Sequence, residues 1–167
     1  MAAARAYREP PVRPARLAAS MLLWSALSLA PDADVIGFRF GVHYADTWGH
    51  RGATHSLAFS IALAFVIAAL AALLRARFVR TFLTAALVLT SHAVLDMLTD
   101  GGLGCGFLWP FDDTRYFAPW NPIPVAPLGR HFFSRAGLSV ALTELVMFAP
   151  LIAYALWPRR RGTLSAS

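Results

Sequence analysis

The sequence predicts an all-α integral membrane protein, a helical bundle of about four membrane-embedded helices with a long non-cytoplasmic loop. Three observations carry this reading. Of 167 residues, 57% are hydrophobic and 14% charged, with mean hydropathy +0.54, whereas a soluble domain is roughly half apolar and about a quarter charged. Apolar runs long enough to enter a bilayer recur along the chain. All 15 basic residues are arginine, and most sit at the ends of those runs, where charge orients a span. The net charge of +6 therefore marks no nucleic-acid partner. The length suits one domain, and the single cysteine, Cys105, excludes an intramolecular disulfide framework and a cysteine-based zinc knuckle.

Residues 1–16 read as a basic flexible flank: Arg5, Arg8, Arg13 and Arg16 alternate with Pro10, Pro11 and Pro14, so no regular element is expected before about Leu17. Leu17 to Ala30 is apolar over 14 residues, about 21 Å as a helix against a hydrocarbon core of about 30 Å. It spans only with its flanks or by local thinning. Read instead as a signal peptide, the same run is an h-region with Ser28-Leu29-Ala30 as cleavage site. Both readings leave Pro31 onward on the outer side. Ser56 to Leu74, 19 residues without a formal charge, is the strongest span. Thr81 to Leu98 is another, with His92 and Asp96 in its last two turns, and Gly137 to Trp157 a further one, with Glu144 and a kink expected at Pro150. Residues 17–157 thus form a single membrane-embedded domain, and 158–167 a basic cytoplasmic tail.

Arginine counts set the topology. If all four segments cross, ten arginines lie on the side of the amino-terminal flank, the Arg75–Arg80 connection and the tail. The other side, 31–55 and 99–136, holds Arg39, Arg51, Arg115, Arg130 and Arg135, fewer charges over more chain. The positive-inside rule places both termini in the cytoplasm.

The same topology gathers the side chains suited to metal or proton chemistry at the outer end: Asp32 and Asp34, His50 and His55, His92 and Asp96, then Asp100. His92 and Asp96 are four apart, hence on one helix face. Such a pair binds a metal or, more blandly, caps a helix end; ionisable groups inside a span usually face a partner or a water-filled cavity. In His50-Arg51-Gly52-Ala53-Thr54-His55-Ser56, Gly52 permits a tight turn and Thr54 suits the N-cap of a helix starting near His55. The same residues would also serve as interfacial histidines with a capping threonine. Asp32, Asp34 and Asp100 each fit a turn as well as a ligand role. Glu144 is expected in the same layer as His92, sharing a proton or a hydrogen bond. Imidazole with carboxylate favours a divalent metal such as zinc or manganese. Leu103 to Phe111 with Tyr116, Phe117 and Trp120 reads as an aromatic apron or anchor at the membrane interface. His43 and His131 read as loop residues.

PDAD at 31–34, HRGATHS at 50–56, SHAVLDMLTDGG at 91–102 and WPF at 109–111 resemble, in order, the signature blocks of the YdjM-like inner-membrane proteins, described as membrane-bound metal-dependent hydrolases. The resemblance covers about residues 20–157. It implies a bacterial inner-membrane protein in which Asp32, Asp34, His50, His55, His92 and Asp96 match the polar motif positions. The histidine with which family members usually open has no counterpart in residues 1–16; either the chain begins late or that ligand is absent, as in a weaker-binding or noncatalytic homologue.

The leading expectation is hydrolysis. Asp32, Asp34, His50, His55 and His92 hold one or two divalent ions that activate water against a phosphoryl or acyl bond. Asp96 orients His92 or binds metal, and Arg51 holds an anionic substrate. A site at the bilayer surface points to a lipid or lipid-linked phosphate. A second expectation is a proton relay or transporter using His92, Asp96 and Glu144, which with so few spans needs an oligomer. A third is a noncatalytic membrane scaffold.

Overall fold

The structure is a computed structural model and describes residues 14–127, 131 and 133–156. All but the end of the basic flank lies outside these residues, as does the tail 158–167. Among them are four α-helices, α1 Pro14–Ser28, α2 Leu57–Leu73, α3 Phe78–Met97 and α4 Arg135–Leu156, and two 3-10 segments, Pro31–Phe40 and Ala53–His55. No strand occurs among the described residues; two isolated bridges, Thr99 with Ile123 and Cys105 with Tyr116, are the β pairing of the long loop. The bundle is all-helical, as expected.

Helix boundaries follow local chemistry. Pro14, the first described residue of α1, suits the first turn of a helix, where its missing N–H is no loss. After Ser28 the chain tightens, with Ala30 N–H donating to Leu27 O at 3.0 Å. Pro31 then opens the 3-10 segment at 52° to α1. That segment stops at Gly41, whose φ of 83° ends it in the left-handed region glycine tolerates.

α2 is capped by Ser56, whose hydroxyl accepts from Phe59 N–H at 3.0 Å. Thr54 was expected to cap and does not, because its hydroxyl donates to Asp34 instead. Capping at Ser56 trims α2 to 17 residues, about 25 Å and at the short end of what crosses a bilayer. α3 and α4 are long and apolar enough to span.

The core is built from small residues. Ala64 on α2 and Ala85 on α3 are fully buried beside Leu89, Val88 and Trp24 of α1. Small side chains let helix backbones approach closely, which is how helices associate where lipid removes the hydrophobic drive between them. Trp24 makes α1 a member of this core. Outward, Phe65, Val66, Leu70, Val79, Leu83 and Leu87 are exposed, the pattern of a surface solvated by hydrocarbon. α4 stands beside the bundle with only 11% of its apolar window buried.

Candidate metal centre

The carboxyl ends of α1 and α3 and the amino end of α2 meet at one end of the bundle, and each delivers polar groups there. The 3-10 segment after α1 carries Asp32 and Asp34 in its first turn. The segment before α2 carries His50, Arg51 and His55, and the last turns of α3 carry His92 and Asp96. Gly52 is required between the histidines because a Cβ there would collide with Thr47 O. The positive φ of this turn falls on the preceding residue, Arg51, at 64°.

Two groups result, joined by one ring. In the first, Asp32 Oδ1 lies 3.3 Å from His55 Nε2 and 3.2 Å from His92 Nε2. Asp96 Oδ2 lies 3.2 Å from His55 Nε2 and 3.7 Å from His92 Nε2. All four ligand atoms fall within 4.8 Å of one another. In the second, Asp34 Oδ1 lies 2.8 Å from His50 Nδ1, and Asp34 Oδ2 lies 3.3 Å from His55 Nδ1. Thr54 Oγ1 donates to Asp34 Oδ2 at 2.7 Å and stands 3.1 Å from His55 Nδ1.

The groups differ in how their atoms are satisfied. The second is a closed hydrogen-bond network. In the first, His55 Nε2, His92 Nε2 and Asp96 Oδ2 are buried and have no hydrogen-bond partner, although they crowd together. Buried polar atoms are nearly always paired, so three atoms without a hydrogen bond that converge with a fourth ligand atom form a set that a cation would satisfy. Two imidazoles and two carboxylates suit zinc or manganese. Asp32 is the open corner, with 38% of its side chain exposed against 0% for His55.

Electrostatics fit a cationic occupant. Burial alone would raise the Asp32 carboxyl, but the His55 and His92 rings outweigh it and hold the group well below the usual carboxylate range. Burial also opposes the lowering of Asp34, which His50, His55 and Thr54 bring about. His55 would be lowered by burial, yet Asp32, Asp34 and Asp96 push it up to about 10.

Other residues stand apart from the expected pattern. Arg51, expected to hold an anionic substrate, is 5% exposed. Its guanidinium donates to Asp96 Oδ1 at 3.2 Å, Thr99 Oγ1 at 2.8 Å and Gly101 O at 3.0 Å. Asp34, expected in one coordination sphere with His55 and His92, meets His55 at the opposite ring nitrogen, and one imidazole cannot turn both nitrogens to one ion. Asp100 serves a turn, accepting from Val125 N–H at 2.8 Å. Glu144, on α4, belongs to neither group. Arg115, which no sequence pattern singles out, donates to the carbonyls of His50, Tyr44 and Asp46 at 2.9, 3.1 and 2.9 Å and so braces the loop that carries His50.

A helical membrane bundle with a His/Asp cluster at one end is an integral membrane protein with a candidate metal centre. The chain belongs to the YdjM inner membrane protein family, whose model matches residues 1–162. It is similar to the inner membrane protein YbcI of Escherichia coli (strain K12), with 43% identity over 144 residues covering 81% of each chain. Family and relative support an inner-membrane location. No solved structure matches it.

Proposed function

We propose that this chain is a membrane-bound metal-dependent hydrolase acting on a phosphoryl or acyl bond at the bilayer surface. Asp32, His55, His92 and Asp96 hold one divalent cation, zinc or manganese. The observation that carries the reading is the convergence of three buried, unpartnered ligand atoms, His55 Nε2, His92 Nε2 and Asp96 Oδ2, on Asp32.

The remaining residues position these four. With Nδ1–H of His55 turned toward Thr54 and Asp34, its Nε2 lone pair faces the cluster, the usual carboxylate support of a metal-binding histidine. His50 steadies Asp34 from its other oxygen. Arg51 holds Asp96 Oδ1, which turns Oδ2 toward the imidazoles and offsets part of the anionic charge. A bound divalent ion would lower the pKa of a water and polarise the scissile bond's oxygen. Asp32, with 38% of its side chain exposed, is the corner of the set open to water and substrate, and the proton a bound water gives up would pass to solvent there.

The relay reading draws less support, because Glu144 stands outside both groups. Metal analysis of the purified, detergent-solubilised protein tests the proposal. About one equivalent of zinc or manganese is expected, lost in His55→Ala and in His92→Ala. A preparation that holds no metal and takes up none from added zinc or manganese would overturn it.

A further inference from the structure

On the flank of the bundle a groove of about 680 Å³ runs along α2 and is lined by apolar side chains throughout, with Phe82 of α3 as one wall and the loop residues Phe107, Trp109 and Phe111 at its outer end. Its floor descends from Leu57 past Ala58 and Ala62 to Phe65 and Val66, ten residues of helix or about 14 Å of depth. The outer end is fastened to the metal centre's own segment: Leu57 N–H donates to Phe107 O at 2.9 Å, and Gly106 N–H donates to Arg51 O at 2.8 Å. Trp109 is held edge-on against Trp48 at 5.4 Å.

We infer that this groove seats one hydrocarbon chain of a membrane lipid and brings that lipid's polar end to the level of the His/Asp cluster. Three features select a lipid chain over other occupants. The volume lies in the range of about 300–1,000 Å³ typical of small-ligand sites, while a docking helix, about 10 Å wide, needs a broader trough. Ala58 and Ala62 lie between the larger Leu57, Ile61 and Phe65 and open the floor along α2, the shape of an elongated slot that an extended hydrocarbon chain fills. Leu57 lies two residues beyond His55 in the chain, so their Cα atoms are at most about 7 Å apart. A lipid seated here has its head-to-chain junction beside the proposed ligands. As a statement about substrate class the inference rests on the hydrolase reading; as a binding site it does not.

The test uses the full chain in phosphatidylethanolamine and phosphatidylglycerol vesicles containing a phospholipid with a photoactivatable diazirine on one acyl chain. Cross-links should be enriched severalfold at Ile61, Phe65 and Phe82 over the bilayer-facing Leu70, Leu83 and Leu87. In Ala58→Trp and Ala62→Trp, which fill the groove from its lining, the enrichment should vanish while labelling at the three control leucines and the metal content stay unchanged. Equal labelling of groove and control positions, or groove positions labelled less than the controls because a second copy of the chain covers them, would overturn the inference. Groove-specific labelling of a protein that binds no metal would sustain the lipid site and remove the hydrolase reading.

Discussion

His55 joins the two halves of the centre: Nε2 faces the unpartnered cluster and Nδ1 faces Thr54 and Asp34. The neighbouring groups therefore have separable roles. Asp34→Asn removes the anionic support of His55 without touching the four proposed ligands, and supporting carboxylates of this kind are worth roughly 10–100-fold in metal affinity. A drop of that size in a zinc titration, with the fold intact by circular dichroism, is expected; unchanged affinity would show that Asp34 orients nothing. Proton linkage gives a second expectation. For the metal-free protein, the lowered Asp32 and Asp34 contribute stability that is present above their ordinary 3.8 and lost as pH falls further. The raised His55 contributes stability that is complete below its ordinary 6.5 and lost as pH rises through about 10. Thermal midpoints in detergent should hold between these limits and fall outside them, and because a metal displaces the His55 proton, zinc uptake should strengthen as pH rises through the neutral range. Residue types and spacing made the cluster legible: an i,i+4 His/Asp pair and two histidines beside a glycine turn. Which carboxylate faces which ring nitrogen was not, because that depends on the 52° bend between α1 and the 3-10 segment.

Among the elements, the α2–α3 pair carries the packing, and its contact is made of alanines with no side-chain volume to spare. Ala85 is fully buried against Ala64 and Trp24. Ala85→Leu would overpack the contact at a cost of about 1–3 kcal/mol, read as a lower midpoint of unfolding in detergent. Leu83→Ala, on the exposed side of the same helix, should change it far less. Apolar length alone revealed these helices, and each end fell within a few residues of its expected place. The shift at the amino end of α2 has a local cause: Ser56 takes the cap that Thr54 gave up to Asp34.

For the whole molecule, arginine placement argues that the connection between α2 and α3 faces the cytoplasm and the long loop after α3 faces out. Reporter fusions after Arg77 should read as cytoplasmic and fusions within 112–127 as external. A cytoplasmic signal from the loop would put the centre on the other face of the membrane. The meeting of three distant stretches at one end was legible because alternating spans leave few arrangements. The bracing of that end by Arg115 and the separation of α4 from the bundle were not, since the first depends on backbone carbonyls and the second on packing that apolar composition does not specify.

The proposed ligands come from the ends of three successive helices, Asp32 after α1, His55 before α2 and His92 with Asp96 at the end of α3. During synthesis the nascent chain therefore holds only part of the set until its third helix has been threaded into the bilayer. A cation would find too few donors before that point, so under the proposed reading its loading would follow assembly. Occupancy of the centre would then serve as a mark of maturation, dividing chains that have completed insertion from those still leaving the translocon.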